Sequence, residues 1–401
     1  MAKILVVGAN FAGLTCALEL RRKLDLTHHE VVLISKSPVF LFIPSLIWVP
    51  FGEREIKDIT VPLEPIAKKA KVKLLITEVT KILAEENKVI TADDEYSYDY
   101  LVISTGPELA FDAIEGLGPQ GNVSYIGTPG GAMETRSRWK EFIKNPGPAV
   151  IGAAQSAGCT GAAYEFLFNF EQQCRAAGIR DKVDITWITP EPYLGHFGIG
   201  GIAGGETMLK GFMKIFKINY ITESEIERIT EDTIYLKTGQ KLPYKFAMIM
   251  PAFHGANVIK NSPGLGNEKG YIPVHHTYQH KHYPNIFAAG IAADYPVPFK
   301  TRVPLGMPKT GYPADETAKT AAENIIRLIN GEHQLKEKPM GKIPGLCIMD
   351  AGKKEVIILS DSLLKPRKFA VMIPNPFYDI NKRLFEKYFL WKIRNGYSWM
   401  P

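Results

Sequence analysis

Of the four cysteines, at positions 16, 159, 174 and 347, one stands where sulfur chemistry is readily built. Cys159 lies in "AAQSAGCTGAAYE" (153–165), directly after the apolar run "GPAVIG" (147–152). A short β-branched strand, a Gly/Ala-rich turn and a helix ordinarily cradle a nucleotide pyrophosphate, whose charge is met by the free amides and dipole of the helix N-terminus. Those same amides and that dipole favour a thiolate, the reactive form of cysteine. Cys159 therefore points to thiol redox or nucleophilic chemistry, with a small buried hydrophobe as the alternative. Cys16, on the apolar side of "LTCALEL", and Cys174, in "FEQQCRAAG", read as structural. Four cysteines in 401 residues are no disulfide scaffold. There is no C-x-x-C pair, and the nine histidines include no H-E-x-x-H, so no metal site is expected.

Two further groups have the right chemistry. Glu165 follows Cys159 by six residues, roughly 600° around a helix and so about 120° away from it. It reads either as part of a proton path or as a solvated helix-face carboxylate. His196, in "YLGHFG", is a proton carrier or a satisfied loop histidine.

The elements that must position these groups form a repeat. Residues 3–7 ("KILVV") read as a buried strand, "GANFAGL" as a turn, 12–25 as an amphipathic helix and 30–35 ("EVVLIS") as a second strand. The turn is Gly8-x-Asn10-x-x-Gly13, one glycine short of the dinucleotide fingerprint; asparagine tolerates positive φ better than most residues, which makes the replacement acceptable. Residues 72–107 and 218–252 share a pattern of strand, E-x-x-x-I, β-branched run, polar turn, Y-x-Y/F and closing strand. Two units, each a Gly-rich βαβ followed by a small antiparallel meander, predict an α/β fold with two Rossmann-like dinucleotide-binding domains. The second Gly-rich turn, Gly152, Ala154, Ala157 and Gly158–Cys159, has one residue too many between its first and last glycines. No acid sits where a nicotinamide ribose would want one, and the second strand of the first unit ends in Ser35 rather than an acid.

Composition bounds the function. The chain is 45% hydrophobic and 22% charged, which argues against disorder, and its net charge of +6 suggests an anionic partner. No basic tract interleaved with aromatics favours nucleic acid. No apolar run reaches the ~18–20 residues of a membrane span, and Met1 leads almost directly into the first strand, so no signal peptide is expected.

"ISTGP" (103–107) resembles the turn closing the FAD domain of two-dinucleotide-domain flavoproteins, and "IFAAGIAAD" (286–294) resembles their third flavin motif, with Ile291 in place of its acid. More specifically, "LISKSPVFLFIPS" (33–45), "PGPAVIGAAQSAGCTGAAYEF" (146–166), "EPYLGHFGIGG" (191–201), "PKTGY" (308–312), "GLCIMDAG" (345–352) and "FEKYFLWKIRNG" (385–396) resemble the sulfide:quinone oxidoreductases over nearly the whole chain. The resemblance implies a glutathione-reductase-like fold with carboxy-terminal amphipathic membrane-anchoring helices. It implies domains of 1–110 with 284–345 for FAD, 111–283 carrying Cys159, and 346–401 for quinone and membrane. It implies FAD held by Gly8, Asn10, Ala12, Gly13, Ser35, Lys36, Pro44, Val79, Thr105, Gly106, Gly290, Lys309, Thr310 and Gly311. Lys309 would lie near the flavin pyrimidine, a surface lysine being the alternative.

The family also implies a redox-active pair, here Cys159 and Cys347, with sulfide as substrate and quinone as acceptor. Hydrosulfide would attack the Cys159–Cys347 bridge, and Cys347 would leave as a thiolate that donates to the flavin. Glu165 would link the thiol pocket to the quinone, and His196 would carry protons near the sulfide. Many members have a third cysteine where this chain has Gly127, within "YIGTPGGAMET"; FAD is then expected to be non-covalent. The tail, "NPFYDINKRLFEKYFLWKIRNGYSWMP" (375–401), mixes bulky apolar and basic side chains. It reads as an interfacial helix on a membrane surface, or else as a terminal helix docked on the protein. Leu346, Phe385 and Tyr388 are expected against the quinone. The protein is expected to be a peripheral, homo-oligomeric membrane enzyme. The rivals are a type II NADH:quinone oxidoreductase, a flavocytochrome sulfide dehydrogenase subunit, and a sulfur-binding or redox-sensing flavoprotein without turnover.

Overall fold

The structure is a computed structural model that describes residues 1–25, 27–308, 310–375 and 380–400. Lys309, and with it the expectation placed on that side chain, lies outside the described residues, as do 376–379 of the tail.

Continuous runs of β-branched and aliphatic residues build two parallel sheets, because strands covered on both faces need apolar side chains on both. The first has five strands, in the order Ile286–Ala288, Tyr100–Ile103, Ala2–Val7, His29–Ser35, Lys73–Ile76. Ala2–Val7 feeds the helix Phe11–Lys23, whose last turn carries Arg21, Arg22 and Lys23 at the negative end of its dipole. The strand Ile286–Ala288 returns to this sheet from far along the chain, and the helix Gly311–Ile329 packs against Phe11–Lys23.

The second sheet has four parallel strands, in the order Ile218–Ile221, Ile185–Ile188, Ala149–Ala153, Phe246–Met250. Cys159 caps the helix that follows Ala149–Ala153, Thr160–Ala176. The repeat legible in the sequence is present in three dimensions. Val79–Leu83, Lys88–Thr91 and Glu95–Ser97 form one antiparallel meander, and Ile226–Ile229, Thr233–Leu236 and Lys241–Pro243 form another. Each carries a register shift at the same place, Val79/Lys81 in the first and Ile226/Arg228 in the second. The short strands Pro107–Leu109 and Phe253–Gly255 pair where the chain crosses between the two sheets.

Beyond residue 345 the sequence suggested amphipathic helices. Among the described residues this region first forms a three-stranded antiparallel sheet, Gly345–Asp350, Glu355–Ser360 and Ala370–Asn375, and then one helix, Ile380–Asn395. No described helix is long and apolar enough to cross a membrane.

Candidate active site

The C-terminal edge of the first sheet is shaped by close backbone approaches. Gly8 has φ +97°, and a Cβ there would stand 2.4 Å from the Ser104 carbonyl oxygen. At Gly13 a Cβ would fall 1.7 Å from the Gly8 oxygen, and at Gly290 it would lie 3.0 Å from the Ala12 Cβ. At Gly311 it would stand 2.8 Å from the Phe11 ring, so the starts of the two helices adjoin. Asn10 does not adopt the positive φ expected of it: φ is −92°, and its side chain instead accepts from the Leu41 amide at 3.3 Å. Neither Asn10 nor Thr310 uses its side chain to cap its own helix, so the leading amides of both are left for a ligand. The Thr105 hydroxyl, beside Gly106, is buried without a hydrogen-bond partner among the described residues. Two uncapped helix starts, an orphaned hydroxyl and a glycine-lined approach fit the pyrophosphate of FAD. Ser35 ends its strand with the hydroxyl donating to the Ser37 carbonyl at 2.7 Å, and the following Lys36 is exposed. Pro44 lies in the helical turn Ile43–Trp48, and Val79 pairs with Thr91 in the first meander.

The corresponding turn of the second sheet is closed by the chain itself. The Ser156 amide donates to the Pro304 carbonyl at 2.7 Å. A Cβ at Gly306 would stand 2.4 Å from the Ala157 oxygen, and one at Gly158 would lie 3.3 Å from the Met307 oxygen. The Gln155 side chain is held in both directions by the Ile226 backbone. The carbonyl oxygens of Pro304 and Met307 thus border the turn where a second pyrophosphate would lie. Oxygen facing phosphate is repulsive.

Cys159 and Cys347 come from the two sides of one contact, because the Thr160–Ala176 helix packs on the Gly345–Asp350 strand. The field of Cys159 reaches Cys347, and both thiols feel the same two groups, Glu165 and Lys382. Glu165 lies neither on a solvated face nor open to water. It is buried, 2.8 Å from the Lys382 ammonium, and accepts from the Asp350 amide at 3.0 Å. The expected thiolate bias of Cys159 meets a stronger opposing effect. Burial pushes its thiol up to about 11, against the Ala162 amide that lowers it. Cys347 is solvent-accessible, yet the protein mass around it pushes its thiol up to about 12. Cys16 and Cys174 are fully buried, in keeping with structural roles.

His196 is also buried, edge-on to Phe299 at 4.9 Å and to Tyr193 at 5.3 Å, and its Nδ1 has no hydrogen-bond partner among the described residues. Burial and the charge of Lys365 lower its pKa, so it is neutral near pH 7. These neighbours are not among the groups that act on the two thiols.

The Ile380–Asn395 helix buries charged side chains together with the apolar Phe389, Leu390 and Ile393 and leaves other apolar ones outside. Ile380, Leu384 and Trp391 are exposed and fall within roughly 40° of arc. Lys382 and Glu386 are buried on the far side and Lys392 on the flank; Lys382 meets Glu165 and Glu386 meets Arg54 at 3.0 Å. Lys392 meets Asp315 at 3.2 Å. Phe389 packs among Phe11, Phe40 and Phe42, and the half-buried Phe385 touches Phe42 at a centroid distance of 6.1 Å. Tyr388 lies against Trp391 at 6.2 Å, and Leu346 is exposed beside Cys347. The tail is thus docked on the protein and still presents an apolar stripe outward.

Residues 2–314 match the family of pyridine nucleotide-disulphide oxidoreductases. A sulfide-quinone reductase of Aquifex aeolicus is 34% identical, over 99% of this chain and 92% of that protein. The chain belongs to the sulfide:quinone oxidoreductase family. The X-ray structure of the sulfide:quinone oxidoreductase from that organism superposes with a TM-score of 0.94 at 33% identity, covering 99% of this chain and 92% of the other. A type II NADH:quinone oxidoreductase of Staphylococcus aureus is 26% identical, over 82% of this chain and 83% of its own.

Gly127 is accommodated by its neighbour Tyr125. A Cβ at 127 would stand 2.1 Å from the Tyr125 hydroxyl, and Tyr125 is buried within the field of Cys159. The phenol fills the space a side chain at 127 would need. Sequence reasoning missed Tyr125 and Lys382. The signal available for Lys382 was its helical phase: it falls opposite Ile380, Leu384 and Trp391, with Glu386 on its own face.

Proposed function

We propose that this protein is a peripheral membrane flavoenzyme in which Cys159 and Cys347 oxidise sulfide and a membrane quinone takes the electrons. Membership of the family carries the reaction, sulfide oxidation with quinone as acceptor, and FAD as cofactor. The observation that most supports the reading is the meeting of two thiols on one charged pair, Glu165 and Lys382, beside a second dinucleotide turn closed by residues 304–307.

In the oxidised pair, hydrosulfide attacks the Cys159 sulfur. A new S–S bond forms there, the Cys159–Cys347 bond breaks, and its electron pair leaves on Cys347 as thiolate while the proton stays on the terminal sulfur. FAD, held at the Gly8–Gly13 turn, would supply a two-electron acceptor for the Cys159 persulfide and Cys347 thiolate and a donor to quinone. A thiol whose pKa its surroundings have raised is a poor leaving group, so the positive charge of Lys382 helps Cys347 depart. Neutral His196 suits proton transfer in a water-poor pocket.

Residues 1–110 with 284–345 form the FAD unit in this reading, 111–283 the unit that presents Cys159, and 346–401 the quinone and membrane region. FAD is held without a covalent bond, since Gly127 offers no nucleophile. Ile380, Leu384 and Trp391 rest in the headgroup region, and Leu346, Phe385 and Tyr388 meet the quinone. The protein assembles as a homo-oligomer, which the mass of the detergent-solubilised particle would test.

Anaerobic stopped-flow tests the route. Sulfide should bleach the flavin, C347S should abolish that bleaching, and a soluble quinone should restore the oxidised spectrum. Bleaching by NADH instead would overturn it.

A further inference from the structure

One carboxylate oxygen, Oε1 of Glu165, joins three elements. Glu165 belongs to the Thr160–Ala176 helix, the Asp350 amide of the Gly345–Asp350 strand donates to it at 3.0 Å, and the Lys382 ammonium of the Ile380–Asn395 helix donates at 2.8 Å. Lys382 is itself fixed: its backbone amide donates to Glu355 at 2.8 Å, and its ammonium stands 5.2 Å over the Trp48 ring. The Trp48 indole in turn donates to the Asp350 carboxylate at 2.8 Å. Both members of the pair are buried, Lys382 at 3% and Glu165 at 8% exposure.

Stability does not account for such a pair. An apolar pair of similar volume commonly holds a fold as well or better, because two desolvated charges cost several kcal/mol to bury. What distinguishes this pair is its neighbours, the two cysteines brought together by the same helix and strand. A bare carboxylate at this point opposes formation of either thiolate, and an ammonium paired with it cancels that opposition.

We propose that Lys382 is a positioning residue for the sulfur chemistry, neutralising the buried Glu165 carboxylate so that Cys159 and Cys347 can ionise. The inference rests on the reading of those two cysteines as the redox pair. The groups facing the thiols are Glu165 from the helix, Lys382 from the carboxy-terminal helix and, toward Cys159, the Tyr125 phenol. Asp350, on the strand, acts on Glu165. Lys382 lowers the pKa of each thiol and Glu165 raises it. Lys382 acts through these groups and need touch neither sulfide nor flavin.

The test is alkylation of the reduced, FAD-loaded protein by iodoacetamide from pH 6 to 10, with Cys159 and Cys347 peptides quantified separately by mass spectrometry. K382M should slow labelling at pH 8 by about tenfold, the effect of one unit in thiol pKa, and move the profile toward alkaline pH. K382R, which keeps the charge, and K382M/E165Q, which removes both charges, should label within about threefold of the parent protein. E165Q, which leaves the ammonium unbalanced, should label faster. A K382M profile superimposable on that of the parent protein, in a folded variant of full flavin content, overturns the proposal. If K382M does not fold, slower labelling of E165Q overturns it. Failure of the underlying reading appears separately, as sulfide bleaching that survives C347S in the parent background.

Discussion

The backbone amide of Ser156 donates to the carbonyl of Pro304 at 2.7 Å, across the turn that opens the second sheet. That bond consumes a donor a dinucleotide phosphate would require, and the oxygen of Met307 lies close to Gly158 of the same turn. NADH should therefore leave the flavin oxidised under anaerobic conditions and show no saturable binding by calorimetry below about 1 mM, a free energy of about −4 kcal/mol. Sulfide on the same sample should bleach it.

The first sheet makes the opposite case. Gly13→Ala would press a methyl group to 1.7 Å from the Gly8 oxygen and 2.4 Å from the Ser104 hydroxyl. Neither backbone nor strand can yield cheaply, so we expect a loss of about 2–3 kcal/mol. The flavin should be lost with it. The absorbance ratio of flavin to protein in the purified variant, and its thermal midpoint, read the two effects.

Gly127→Cys should not be tolerated alone. Its Cβ meets the Tyr125 hydroxyl at 2.1 Å and the ring carbon bearing it at 2.5 Å. Tyr125 is buried and packs edge-on to Phe111 at 5.4 Å, so it has little room to move. Overpacking of about 1–3 kcal/mol is expected. The double variant Y125A/G127C should recover part of it in thermal unfolding of the holoprotein.

The outward stripe of the carboxy-terminal helix predicts a separation of membrane binding from stability. I380E/L384E alters two side chains that are 52% and 56% exposed, so stability should change by no more than about 0.5 kcal/mol per site. Co-sedimentation with lipid vesicles should fall severalfold, while reduction of a soluble quinone continues. Unchanged sedimentation would place the membrane contact elsewhere.

Local pattern carried much of the fold. Aliphatic runs named the strands Ala2–Val7, His29–Ser35 and Ala149–Ala153 to within a residue or two. The recurrence of 72–107 in 218–252 was legible down to the meander, though not the register shift that both copies share. Those features are local because strand and turn propensities act over a few residues. Asn10 shows the limit. Its residue type allows positive φ, but a side-chain bond to Leu41, 31 residues away, accompanies a negative one.

By itself the sequence determined the two strand–turn–helix units, the cysteine that begins the second helix, and the alternation of apolar and basic residues in the tail. Tertiary structure alone decided what each of these meets. The closure of the second turn by 304–307, the burial of Glu165 against Lys382 and the phenol beside Gly127 join residues from 2 to 217 positions apart along the chain. In the tail, periodicity marked an apolar stripe but not which way it faces. Three partners, Glu165, Arg54 and Asp315, draw Lys382, Glu386 and Lys392 inward beside Phe389, Leu390 and Ile393, and leave Ile380, Leu384 and Trp391 outside. A helical pattern specifies which residues share a face; only the charges and cavities waiting on the rest of the protein specify which face is buried.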